Sequence, residues 1–164
     1  MIQTLIEPEQ IIALLRNAWK TQTNAVSEYF RKNADDFYDR EIAPGRNKAT
    51  YILGHLIATN DGLLPLLGFG DKLYPELDQF FTPNTPWHYD EFPSVAELKA
   101  KWDNINQYLE EKFDTLTPGQ WLDRHTKVSP EDFVLDPKRN KLNLLIGRTS
   151  HTSYHLGQLN ILKN

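Results

Sequence analysis

The stretch SVAELKAKWDNINQYLEEKF, residues 94–113, decides the fold class. Its apolar residues Val95, Leu98, Trp102, Ile105, Leu109 and Phe113 recur every three or four positions, the spacing that lines one face of a helix of about 3.6 residues per turn. A strand would scatter them over both of its faces, because strand side chains alternate from residue to residue. Ser94, followed three residues later by Glu97, is a capping box, in which each side chain satisfies a backbone N–H left unpaired at a helix start.

The same spacing extends in both directions. Upstream, Pro8 stands at a first helical position, and Ile11, Leu15, Ala18, Gln22, Ala25 and Tyr29 predict a helix over 8–33. After the turn-rich APGRN, Asn47 serves as an N-cap for KATYILGHLIATNDGLLPLLG, which runs to stop signals at Gly68 and Gly70. Pro65 should kink or end this helix early, since proline removes a backbone donor and clashes with the preceding turn. Residues 69–93 carry four prolines and many aromatics without sustained periodicity. They read as a long, packed connection that can cross the length of a bundle. Downstream, LTPGQWLDRHTKVSPEDFVLDPKRN is a second connection, and Asn140 caps the last helix, KLNLLIGRTSHTSYHLGQLNILK. VSPEDFVLD is too short and too interrupted by proline to make a strand. The expected class is all-α, four helices in a single domain over 1–164.

Composition removes several functions. The chain of 164 residues is 40% hydrophobic and 12% aromatic, enough for one core. It holds no apolar run near the roughly 18 residues of a membrane span. The first residues have no basic region before an apolar core, so the expected location is cytoplasmic. A net charge of −4 offers no basic stripe for a phosphate backbone, so no nucleic-acid partner is expected. With no cysteine, thiolate metal sites and thiol nucleophiles are excluded, and a transition metal would need His, Asp or Glu.

The five histidines then matter most. His151 and His155, in RTSHTSYHLGQL, stand one turn apart and about 40° apart around the helix, so both rings can converge on one ion. His55 falls mid-helix among Ile52, Leu56 and Leu63, which should face the core, and a buried imidazole there needs a hydrogen-bond partner or a metal. Gly54 precedes it and Gly147 and Gly157 flank the pair. Each costs a helix roughly 1 kcal/mol relative to Ala, a cost that close approach of helix backbones, within the bundle or across a dimer contact, would repay. His88 in TPWHYD and His125 in DRHTK fall in connections and read as surface or lid residues. GFG at 68–70 does not open a helix after a strand, so it is a helix stop and no phosphate cradle.

Gly54-His55-Leu56 on the second helix, together with His151, His155, Gly157 and Gln158 on the last, resembles the DinB/YfiT-like family of metal-dependent four-helix-bundle enzymes. The order of elements agrees along nearly the whole chain. The resemblance implies an up-down-down-up four-helix bundle with a long crossover between helices two and three, often a homodimer. It also implies that His55, His151 and His155 hold a divalent metal such as nickel or zinc. Imidazole ligands alone leave iron and manganese open as well.

Three neutral imidazoles leave at least one coordination position for water or a thiol. The resemblance implies a transferase acting with a low-molecular-weight thiol on a small-molecule substrate, with hydrolysis as the nearest variant. Around the triad, Arg148 stands on the histidine stripe, where it can clamp a substrate carboxylate. Tyr51 is a candidate pocket residue, Gln158 and Thr59 are candidates to orient the ligand rings, and Tyr154 is read as pocket or core. Asp61, about 120° around the helix from His55, is not assigned to catalysis. The competing reading is a non-catalytic dimeric bundle with a structural metal or none, acting as an interaction module.

Overall fold

The computed structural model describes residues 7–81 and 92–162. In chain order its helices are α1 (Pro8–Arg31), α2 (Ala49–Asp61), α3 (Leu63–Leu67), α4 (Asp78–Phe81), α5 (Val95–Phe113), α6 (Pro118–Trp121), α7 (Pro130–Leu135) and α8 (Lys141–Leu159). Short 3₁₀ turns stand at Asp35–Asp39 and Pro75–Leu77. The described residues are all-α, and the only extended pairing among them is at two isolated bridges, Glu41 with Lys48 and Arg124 with Asn140. None of these helices is long and apolar enough to cross a membrane. α1 packs chiefly on α8 and α2 chiefly on α5, and α2 also touches α8.

The helix starts follow their local chemistry. Ser94 N–H donates to Glu97 Oε2 at 2.8 Å and Glu97 N–H donates to Ser94 Oγ at 3.3 Å, closing the capping box of α5. The whole expected stripe of α5 is buried, from Val95 to Phe113. Asn140 caps α8 by accepting from Asn143 N–H at 2.9 Å. On α2 the expectation fails by one residue: the extended residue before the helix is Lys48, with no side-chain cap, and Asn47 instead gives its carbonyl to Ile42 N–H at 3.0 Å.

Two further expectations are corrected. α1 ends at Arg31 and buries Ile12, Trp19, Thr23, Val26, Tyr29 and Phe30; Tyr29 of the expected line is buried, but the rest of the buried face lies one residue beyond it, leaving Ile11 45% exposed. One residue is about 100° of rotation. The adjacent isoleucines fit either register, and the Trp19 ring, set edge-on to Phe113 at 5.9 Å, decides which one faces inward. As expected from Pro65, the second helix is interrupted before Gly68. Pro65 has no N–H for the Asp61 carbonyl, so the helix breaks at Gly62 and resumes as α3. Finally, the connections are partly helical, holding α4, α6 and α7. The second of them is pinned by Thr126, whose N–H and hydroxyl donate to Leu66 O at 3.0 Å and Pro65 O at 2.8 Å, carbonyls at the C-terminal end of α3. As read from GFG, α3 stops at Gly68, where φ is +81°.

α2 is the central element. Along Ala49–Asp61 every side is buried except at His55 and Thr59, one turn apart on one line. Asn60 Nδ2 donates to Asn106 Oδ1 at 3.0 Å, and Asn106 Nδ2 donates to Trp102 O at 2.8 Å, fixing α2 against α5. Asp61, fully buried, accepts from Leu73 N–H at 2.8 Å and Tyr74 N–H at 2.9 Å. Its carboxyl anchors the chain after α3, and burial holds its pKa above the usual carboxylate value against the pull of those two N–H groups and Lys72.

Replacing Asp61 by Ala strips both backbone donors of their acceptor. It should lower the unfolding free energy by about 2–3 kcal/mol, with Asp61→Asn, which keeps one acceptor oxygen, in between. Urea midpoints of the variants against wild type measure this.

Candidate metal centre

His55 comes from the open line of α2, and His151 and His155 come from successive turns of α8 facing it. The three Nε2 atoms converge: His151 Nε2 lies 3.1 Å from His55 Nε2 and 3.1 Å from His155 Nε2. The three ligand nitrogens all lie within 4.8 Å of one another, and the residues are half-buried. Nitrogens bound at 2.0–2.1 Å to one ion stand roughly 3.0–3.4 Å apart in neighbouring positions, so this spacing fits a shared cation.

The outward nitrogens fix which way the lone pairs point. His55 Nδ1 lies 2.8 Å from the Phe81 carbonyl oxygen, and His155 Nδ1 lies 2.7 Å from Gln158 Oε1. Both oxygens only accept, so both Nδ1 atoms carry the proton and both Nε2 atoms present lone pairs inward. A neutral His151 has one proton at most to offer two such lone pairs. Its own Nδ1 is buried with no partner among the described residues. Protonation is a costly way out: burial, then the charges of His155, His55 and Arg148, push His151 down to about 4. Burial is also the leading cause that lowers His55 and His155, with Arg148 adding to it at His55. As a metal-free cluster the triad is left with lone pairs facing one another, whereas a cation at their meeting point satisfies all three. Among the described residues it is the only His, Cys, Asp or Glu group arranged to hold an ion.

Other residues named from the sequence take definite places. Tyr51 is buried and lies parallel to the His55 ring, with centroids 6.3 Å apart. Gln158 also donates from Nε2 to Tyr154 Oη at 3.1 Å, and Tyr154 itself is 63% exposed, neither core nor enclosed pocket. The Thr59 hydroxyl is turned to the Leu56 carbonyl at 3.0 Å. Arg148 is half-buried on α8, close enough to lower His55 and His151, and burial lowers its own pKa as well. His125 is half-buried in its connection with Nδ1 enclosed, so it is no plain surface residue. His88 lies outside the described residues.

The glycines divide. A Cβ on Gly54 would stand 2.4 Å from ring carbons of Phe81, so this glycine does mark a close approach, made by an aromatic ring and not by a helix backbone. Gly147 and Gly157 would meet nothing within 4 Å, which removes the close-packing account for them within this chain. Phe81 itself escaped sequence reading. Its part is played by a backbone carbonyl 26 residues from His55, and no side-chain motif announces that.

A family model described as the DinB superfamily matches residues 18–159. A solved structure of a DinB-like protein from Bacillus cereus ATCC 10987 is similar at TM-score 0.63 and 16% identity, covering 90% of this chain and 87% of that one. A conserved protein from Enterococcus faecalis is similar at TM-score 0.63 and 13% identity, covering 92% of this chain and 95% of that one. At these identities the likeness is one of fold. No curated protein matches the chain.

Two outcomes are expected at the centre. Gly54→Ala must displace the packed Phe81 ring; it should cost about 1–3 kcal/mol of stability and move the carbonyl that holds His55, weakening metal retention in equilibrium dialysis. The metal-free protein should also be acid-sensitive. The folded rings have pKa values below 6.5, with His151 at about 4, so the unfolded chain binds more protons as pH falls. Stability is then full above about pH 6.5 and declines toward pH 4. Urea midpoints across that range should show the decline, and His151→Ala should flatten it.

Proposed function

The chain belongs to the DinB superfamily, and we propose that it is a divalent-metal-dependent enzyme whose ion is held by His55, His151 and His155. The observation that carries this reading is the pair of fixed tautomers: Phe81 O and Gln158 Oε1 hold the Nδ1 protons outward, so that Nε2 lone pairs converge at 3.1 Å spacing. Nickel and zinc suit a set of three imidazoles, as iron and manganese also do. The architecture that goes with it is an up-down-down-up four-helix bundle in one domain, with residues between α2 and α5 as the crossover, assembled as a homodimer in the cytoplasm.

The reaction we assign is transfer to a low-molecular-weight thiol, with hydrolysis as its water-using variant. When bound, the ion would supply Lewis acidity, lowering the pKa of a thiol or water at its open coordination position. The thiol proton passes to solvent, the sulfur electron pair forms the new S–C bond, and the leaving group departs with the pair of the bond it breaks. The chain's own residues hold and screen this position. The Phe81 carbonyl and Gln158 keep two rings aimed inward, Tyr51 covers one flat side of His55, and Thr59 lies on the same open line of α2. The three imidazoles stay neutral at physiological pH because burial disfavours their charged forms.

Metal analysis of tag-free protein grown in metal-replete medium tests the reading. We expect about one equivalent of a divalent transition metal per chain for wild type and loss of most of it in His55→Ala. Wild type without stoichiometric metal overturns the proposal; with metal present, thiol consumption against a panel of small electrophiles separates transfer from hydrolysis.

A further inference from the structure

Arg148 is the charged group at the centre to which metal binding gives no work. It stands three residues before His151, one turn along the same face of α8. It is half-buried, and while its carbonyl accepts from the Thr152 hydroxyl at 3.0 Å, its guanidinium makes no hydrogen bond or ion pair with a described residue. Three other partly covered cations among the described residues have carboxylate partners: the side chains of Lys72, Lys99 and Lys101, 23%, 26% and 26% exposed, are held by Asp78, Asp35 and Glu76. No Asp or Glu of the described residues joins the three rings as a possible ligand, and the charge of Arg148 lowers the pKa values of His55 and His151.

Neutral imidazoles do not offset the charge of a divalent ion. Filling the site therefore places a cation beside a guanidinium with no protein counter-charge, an arrangement that burial makes costly until an anion enters. We propose that Arg148 anchors a substrate carboxylate, so that the centre selects small anionic molecules carrying a metal-seeking donor atom a few bonds from a carboxylate. This rests on the metal-centre reading. The planar guanidinium offers two parallel N–H donors that match a carboxylate edge. A single guanidinium beside neutral rings suits one carboxylate, whereas a phosphate dianion calls for further cationic donors.

The probes are 3-mercaptopropionate and its neutral isostere 3-mercaptopropionamide, titrated into cobalt(II)-loaded protein and followed by the sulfur-to-cobalt absorption band. Wild type should bind the acid about tenfold more tightly than the amide. Arg148→Gln should lose that preference to within about twofold while its affinity for the amide stays unchanged, and Arg148→Lys, which keeps the charge without the fork, should fall between. Equal affinities in wild type overturn the inference. So does a preference that survives in Arg148→Gln, since the carboxylate would then be bound by the metal itself. Wild type that takes up no cobalt overturns the metal-centre reading and this inference with it, an outcome distinct from cobalt uptake without acid preference.

Discussion

Phe81 lays its ring against the bare Cα of Gly54 while its carbonyl oxygen takes the Nδ1 proton of the next residue, His55. Core packing and ligand orientation are thereby one contact. The ring belongs to an aromatic group with Tyr51 at 5.7 Å and Phe92 at 4.8 Å, so the carbonyl is held by apolar burial and needs no polar scaffold of its own. A side chain at position 54 would separate the two functions by pushing the ring away. α2 can lie buried on nearly every side only because such contacts cover it, and the line they leave uncovered is the one that carries His55 and Thr59.

Set against the rest of the interior, the triad stands apart. Asn60 with Asn106, Asp61 with Leu73 and Tyr74, and Thr50 with Tyr38 show that this chain usually supplies buried polar groups with partners of the right kind. At the histidines it instead supplies two acceptors on the outside and three lone-pair-bearing nitrogens on the inside. Three such nitrogens meeting at one point, two of them aimed there by acceptors on their far side, read as a place reserved for a ligand.

Local signals were legible in the sequence and distant ones were not. The α5 capping box and stripe, the Asn140 cap of α8, the proline at the start of α1 and the stop at Gly68 all depend on residues within a turn or two, and they stand where they were read. The register of α1 was misread because Ile11 and Ile12 fit two faces equally, and the choice is made by Trp19 against Phe113 on another helix. The short helices of the connections are too brief to show a period. At the centre, His55, His151 and His155 were legible by type and spacing, and Gly54 was legible as a close approach. Its partner was not, because Phe81 acts through main chain and ring packing far along the sequence. Close packing within this chain does not account for Gly147 and Gly157, because a glycine's cost in a helix does not say what repays it.

His55 and His151 are 96 residues apart along the chain, and they join α2, which packs chiefly on α5, to α8, which packs chiefly on α1. An ion held between them would act as a cross-link between the two helix pairs. Closing a loop on the order of 100 residues removes unfolded-state entropy worth about 4–5 kcal/mol in the chain-entropy picture of a disulfide, and this chain has no cysteine with which to make one. A ligand set arranged for chemistry would thus also fasten the fold, tying how long the folded chain survives to how much metal its surroundings hold.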